Sequence, residues 1–359
     1  MLSLGMLVFL WLAPAARAEW SFAVLGDTRG AHSTTNGVSP HLSTIAAKIV
    51  GMHPDLVLVS GDLCNGDDTN GLTALSYAQQ FTNWNMAMDT VTASHISIYP
   101  VRGNHENSCD ETEPIPALKQ AYYDACGACV PTNGPNNGPA DDQQGFTYSF
   151  VHSNATFIVL DQYFYYNMTS ETGYHSLAEV WLNQQLAQVD TPYTIVMAHV
   201  PVFMATGQET PEHFFGTNPA GYEQRSNFWN SLGACGARLY VCGHVHNLSV
   251  SLAPDGAGNG IYQLTSGNGG APLDMVLTNH DACIDVHYTN DTNFGFALVT
   301  VSNDAMTIDY YLLDTKDDTW QKAAYVTTIP AVPEPTAVAA AMLVPLWFFS
   351  RRNGRTLRT

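Results

Sequence analysis

The chain has 359 residues, 45% of them apolar and 13% charged, which is enough to bury a sizeable core and excludes an intrinsically disordered protein. Its formal net charge of −19 repels nucleic acid at long range, so no polyanion-binding groove is expected. Some of the carboxylates are candidates for binding cations instead.

At the N-terminus an apolar stretch from Leu2 to Leu12 leads into Ala16-Arg17-Ala18, the small-x-small pattern that signal peptidase accepts. Residues 1–18 are therefore expected to be a signal peptide, and the protein to be exported. Phe22 to Leu25 is a continuous apolar run that fits a strand buried on both faces and ending at Gly26. Ser39-Pro40 then supplies an N-cap and a first-turn proline for a helix whose inner face is Leu42, Ile45, Ala46, Ile49 and Val50. Leu56 to Ser60 and Ile96 to Val101 repeat the strand pattern, ending in Gly61-Asp62 and Gly103-Asn104-His105. Strand, polar loop and helix in alternation predict a layered α/β domain whose functional loops gather at the carboxyl ends of the strands.

Cys109 to Gln144, with Asn133-Gly134-Pro135-Asn136-Asn137-Gly138-Pro139 inside it, is rich in breakers and reads as a surface insertion beside the site. Phe146 to Phe150 and Thr156 to Leu160 fit a hairpin, and Ser176 to Gln188 a helix with Leu177, Trp181, Leu182 and Leu186 inward. Thr194 to Ala198 and Leu239 to Cys242 are two more buried strands, each delivering a histidine at its end. Phe296 to Val301 and Met306 to Leu313 alternate as a closing hairpin does. With no internal repeat and no linker, residues 19–330 are expected to form one domain.

The C-terminal segment, residues 331–359, carries Val332-Pro333-Glu334-Pro335-Thr336, an apolar run from Ala337 to Phe349, and Arg351, Arg352, Arg355 and Arg358. It resembles the PEP-CTERM sorting signal, and its apolar run is shorter than the ~20 residues that span a bilayer comfortably. A transient sorting anchor or an ordinary C-terminal membrane tether both place the body outside the cytoplasm, where export and sorting machinery are the expected partners. Removing both ends takes away five arginines and one glutamate and leaves the body near −23. Seven cysteines in an exported chain are expected to form disulfides, with at least one thiol left over and Cys126-x-x-Cys129 read as a loop staple.

The polar residues at the strand ends are Asp27, Asp62, Asn104, His105, His199, His244 and His246. Carboxylates, an amide and imidazoles suit iron, manganese or zinc. They occur as Gly26-Asp27-Thr28-Arg29, Gly61-Asp62-Leu63-Cys64-Asn65-Gly66, Gly103-Asn104-His105-Glu106, His199 after a buried strand, and Gly243-His244-Val245-His246. This ordered set, together with the loop Gly267-Asn268-Gly269-Gly270-Ala271-Pro272, resembles the calcineurin-like metallophosphoesterases, including their purple acid phosphatase branch. The resemblance implies two mixed β-sheets sandwiched between helices, and a centre of two divalent or trivalent metal ions. Asp62 would bridge them, Asp27 and His246 would hold the first, and Asn104, His199 and His244 the second. A water or hydroxide shared by the ions would attack a small phosphoester in line, with His105 protonating the leaving group. Glu106 would either orient His105 or stand solvated at its strand end.

The sequence departs from that family at two places, where Arg29 replaces the usual histidine and Asn65 the tyrosine of the purple branch. The first ion therefore lacks a ligand, for which Asn65, His32 or water could substitute. A guanidinium has no lone pair for a metal, so Arg29 is read as a clamp on phosphoryl oxygens, weighed against a simple ion pair with Asp27 or Asp62. The expected activity is hydrolysis of a phosphomonoester or a phosphodiester; a phosphodiesterase or nucleotidase, and a surface protein that kept the fold with weak turnover, are the rival readings.

Overall fold

The structure, a computed structural model, describes residues 19–31, 36–66, 75–107, 115–126, 145–163, 178–206, 219–256, 258–277 and 279–331, with Gly138 and Phe215 between them. The expected signal peptide, His32, Cys109, Cys129, Leu177 and the tail beyond Ala331 lie outside the described residues.

The first sheet takes its parallel centre from β1 (Trp20–Leu25), β2 (Leu56–Val59) and β3 (Ser97–Pro100). An antiparallel meander of β11 (Phe294–Val301), β12 (Ala305–Asp314) and β13 (Thr319–Pro330) extends it, giving the order β13-β12-β11-β1-β2-β3. The second sheet contains β4 (Tyr148–His152), β5 (Ala155–Val159), β6 (Tyr193–Met197), β7 (Ala237–Cys242), β8 (Leu248–Ala253), β9 (Ile261–Ser266) and β10 (Asp285–Asn290). Its order is β10-β8-β9-β7-β6-β5-β4, with β5, β6, β7 and β9 parallel.

Strand periodicity explains the layers. In β1 and β2, Phe22, Val24, Leu56 and Leu58 point between the sheets, where they meet Tyr193, Ile195, Met197, Leu239 and Val241 of the second sheet. Their neighbours Ala23, Leu25, Val57 and Val59 point the other way, into a helical layer made by α1 (Leu42–Gly51), α2 (Tyr77–Ala87), α3 (Asp89–Ala93) and α4 (Pro116–Cys126). On the far side, Ile158, Val196 and Tyr240 pack beneath α5 (Glu179–Leu186) and α6 (Pro219–Ala234). The expected architecture of two mixed sheets flanked by helices is thus present.

Four local expectations need correction. The breaker-rich insertion contains α4, whose Leu118, Tyr122 and Cys126 are buried at a four-residue spacing. Tyr122 meets Phe81 of α2 edge-on at 6.0 Å, so this part of the insertion is core. The first helix begins at Leu42 rather than Pro40, because Ser39 Oγ accepts the His41 N–H at 3.2 Å within a preceding turn. The closing hairpin gains a third strand, β13, whose outward Gln321, Lys322 and Thr328 hid it from an apolar-run reading. Lastly, Cys64, Cys235, Cys242 and Cys283 are thiols. Cys64 and Cys242 lie in opposite outer layers, which keeps them apart.

Arg102, beside the Gly103 motif, is spent on structure. Its guanidinium donates to Asp161 at 2.8 Å, both side chains are buried, and it lies 5.2 Å from the Phe146 ring. Removing one partner of a buried pair strands the other charge, so Asp161→Ala is expected to lower unfolding free energy by about 3–5 kcal/mol. Urea unfolding monitored by circular dichroism checks this, and a loss under about 1 kcal/mol would contradict it.

Candidate metal centre

The parallel strands β1, β2 and β3 of one sheet and β6 and β7 of the other end at a common edge, and each is followed by a short loop carrying one motif. Asp27, Asp62 and His244 each follow a glycine and take left-handed backbone conformations, with φ of 55°, 53° and 68°. Non-glycine residues seldom adopt this region, and three of six candidate ligands doing so concentrates strain at one place. Gly103 and Gly243 are required by close approach. A Cβ on Gly103 would strike the Asp62 carboxylate, and one on Gly243 would strike that of Asp27. The glycine of one motif thus makes room for the carboxylate of another.

The structure brings all the sequence-predicted site residues together. His199 Nε2 lies 3.0 Å from Asn104 Oδ1 and 3.3 Å from Asp62 Oδ1. His244 Nδ1 lies 3.1 Å from Asn104 Oδ1 and 3.3 Å from His199 Nε2. Ligand atoms each about 2.1 Å from one ion are about 3.0–3.4 Å from one another at octahedral or tetrahedral angles, so these spacings fit a single metal. The chemistry of the donor set agrees. His199 Nδ1 donates to the Ser60 carbonyl at 2.7 Å, which leaves its Nε2 with only a lone pair to present. That lone pair faces the acceptor oxygens of Asn104 and Asp62, an arrangement that repels unless a cation sits among them.

On the other side of Asp62, one ligand atom each from Asp27, Asp62 and His246 lie within 4.8 Å of one another. His246 Nδ1 donates to the Pro272 carbonyl at 3.0 Å, and Asp274 accepts the His246 backbone N–H at 2.8 Å, so the ring presents Nε2 inward. Asp274 lies beyond the motifs and was not identified from sequence. Arg29 enters this second group: its Nε is 3.6 Å from Asp62 Oδ2 and its Nη2 is 3.4 Å from His246 Nε2.

Burial lowers His199 and His246 to about 4, the latter helped by the Arg29 charge, so both rings are neutral at pH 7 and offer lone pairs. Burial, followed by the charge of Asp62, raises Asp27 well above the ordinary carboxylate range. For Asp62 burial acts in the same direction, but the imidazoles of His199 and His105, in their protonated forms, and the guanidinium of Arg29 outweigh it and hold the group below that range.

Glu106 neither orients the His105 ring nor stands in solvent. It is fully buried, and its two oxygens accept the backbone N–H groups of Leu63 at 2.8 Å, Asp62 and Gly103 at 2.9 Å, and Cys64 at 3.2 Å. His105 is held by Asn65, whose carbonyl accepts from its Nδ1 at 2.6 Å, with Nε2 facing Asp62 Oδ2 at 3.8 Å. The side-chain amide N–H of Asn65 donates to the Ala31 carbonyl at 3.2 Å. Gln162, also unmarked in the sequence, accepts the backbone N–H groups of His199 and Val200 at 2.7 and 2.6 Å and fixes that loop. A pocket of ≈ 220 Å³ opens onto the centre, its lining including Phe203, Met204, Thr206 and Asp274 together with Arg29, Asn104, His105, His244 and His246.

Two facing sheets whose strand ends converge on carboxylates, an amide and neutral imidazoles define an α/β sandwich with a candidate metal centre at one edge. Residues 21–248 match the family model for calcineurin-like phosphoesterases, and the chain belongs to that family. It is 28% identical over 170 residues to rat serine/threonine-protein phosphatase CPPED1, a stretch covering 46% of each chain. It is 30% identical over 133 residues to human tartrate-resistant acid phosphatase type 5, covering 36% of this chain and 37% of that protein. The match thus spans less than half the length of these relatives. Among solved structures, purple acid phosphatase PPD1 from yellow lupin superposes with a TM-score of 0.62 at 19% identity, over 87% of this chain and 54% of that one. A structure of PhoD gives 0.63 at 17% identity, over 90% and 73%. These likenesses are of fold.

The carboxylate of Glu106 gathers N–H groups from two loops, so Glu106→Gln turns an amide donor towards two of them. A loss of about 2–4 kcal/mol in unfolding free energy is expected, with weaker metal retention. Denaturant titration and metal analysis of the refolded variant check this; wild-type stability would refute the clamp.

Proposed function

We propose that this chain is an exported, metal-dependent hydrolase of small phosphoesters, working at a centre with two cation positions bridged by Asp62. The observation that supports it most is the convergence of Asp62, Asn104, His199 and His244 on one point, with the lone pair of His199 Nε2 turned to face acceptor oxygens. Bound there, a metal ion supplies Lewis-acid activation of water and of a phosphoryl oxygen near neutral pH.

The chain's own residues supply the rest. Asn104 and His244 present their ligand atoms to the pocket, and Arg29 offers charge-assisted hydrogen bonds to the phosphoryl oxygens. His105, anchored through Nδ1, carries its transferable proton on Nε2, where it can be passed to the departing alkoxide. Phe203 and Met204 narrow the pocket and keep bulk water from the ester.

One observation favours a phosphodiester or nucleotide ester over a monoester. Among the described residues lining the pocket, Arg29 is the single Lys or Arg, while Arg102 is held away by Asp161. A monoester brings a second negative charge, which this lining is poorly equipped to neutralise.

Metal-loaded protein assayed with p-nitrophenyl phosphate and bis-p-nitrophenyl phosphate tests the reading. Asn104→Ala and His199→Ala are each expected to lower kcat/KM by about 10²–10⁴-fold while circular dichroism stays unchanged. Wild-type rates in both variants after stripping and reloading would show that the site is misassigned. No turnover of either ester by the wild type would favour a surface protein that kept the fold.

Export rests on the apolar stretch and Ala16-Arg17-Ala18, and surface retention on the segment from Val332 onward. No helix among the described residues is long and apolar enough to cross a membrane. Deleting residues 337–359 is therefore expected to move the protein from the membrane fraction to the soluble one. Equal retention of full-length and truncated forms on fractionation would mean that another anchor exists.

A further inference from the structure

The group formed by Asp27, Asp62 and His246 has the skeleton of a metal site, yet a cationic side chain already stands in it. Arg29 is buried, its backbone N–H donates to the Asp62 carbonyl at 3.1 Å, and its Nη1 donates to the Gly30 carbonyl at 3.4 Å, so the side chain is tethered at both ends. Between these tethers Nε faces Asp62 Oδ2 at 3.6 Å and Nη2 faces His246 Nε2 at 3.4 Å. The Pro272 carbonyl holds the proton of that imidazole on Nδ1, so Nε2 has a lone pair, and an Arg29 N–H points at it. The lone pair that would ligate a first ion is accepting from the guanidinium.

We infer that this chain binds one metal ion, at Asp62, Asn104, His199 and His244, and that the Arg29 guanidinium is the resident cation of the neighbouring position between Asp27, Asp62 and His246.

This rests on the functional reading above and narrows it. Three considerations decide between guanidinium and ion. The first is charge: the guanidinium already stands beside the Asp62 carboxylate, and a second ion would be pushed against a group that cannot deprotonate. The second is ligand supply, because the His, Cys, Asp and Glu side chains among the described residues offer this position three ligands, and Asp274 is engaged with the His246 backbone. The third is geometry, since Asp62 still bridges: Oδ1 faces the metal position through His199, and Oδ2 faces Arg29. The two-cation layout is kept, with a permanent single charge in place of an exchangeable higher one. That also suits a substrate carrying one negative charge.

The test is metal stoichiometry, read independently of turnover. Purified wild type dialysed against excess Mn²⁺ and then metal-free buffer is expected to hold about one ion per chain by mass spectrometry. Its electron paramagnetic resonance should show isolated Mn²⁺ rather than an exchange-coupled pair. Arg29→His, which removes the cation and adds a lone pair, is expected to rise to about two ions with a coupled signal. About two coupled ions in the wild type would overturn the inference while leaving the hydrolase reading intact. Absence of both metal and turnover in the wild type would sink the hydrolase reading first. Should Arg29→His fail to fold, the wild-type stoichiometry and spectrum still decide the question.

Discussion

The centre depends on how the loop after β2 is held. The Glu106 carboxylate, sealed from solvent, draws in the N–H groups of Asp62, Leu63 and Cys64 from one loop and of Gly103 from the next. A buried carboxylate without those donors would be strongly unfavourable, so the loops pack only in the arrangement that supplies them. That arrangement places Asp62 in a left-handed conformation, with one oxygen towards His199 and the other towards Arg29. The bareness of Gly103 is the complementary requirement, because the Asp62 carboxylate occupies the space its Cβ would take.

From this clamp the electrostatics of the site follow. Burial strips solvent from the imidazoles and keeps His199 and His246 neutral, so that they present lone pairs rather than competing positive charge. Carbonyls of Ser60, Pro272 and Asn65 then fix which ring nitrogen faces inward at His199, His246 and His105. The two sheets contribute unequally. The first brings both aspartates, Asn104 and Arg29, while the second brings His199, His244 and His246, so the site exists only where the sheet edges meet.

Much of this was legible in the sequence. Each parallel strand of the centre is an apolar run ended by a polar residue, preceded by a glycine except at His199, and such runs identify themselves because both faces are buried. The ordered motifs Gly26-Asp27, Gly61-Asp62, Gly103-Asn104-His105, His199 and Gly243-His244-Val245-His246 gave the candidate ligands, and all of them converge. What was misread lacks that signature. Helix α4 carries a single buried stripe between breaker-rich flanks, and β13 is an edge strand with most side chains in water. The cysteines were read from compartment and number, but pairing depends on proximity, which layer assignment denies to Cys64 and Cys242.

The sequence by itself determined the family, the layered α/β class and the candidate ligands, because these depend on local residue order and strand periodicity. Tertiary structure alone decided the roles of Glu106, Gln162 and Asp274, whose partners are backbone groups that no side-chain motif records. It alone also separated the two arginines beside the motifs. Arg102 faces Asp161 and Arg29 faces Asp62 and His246, a difference in direction that follows from packing across the two sheets.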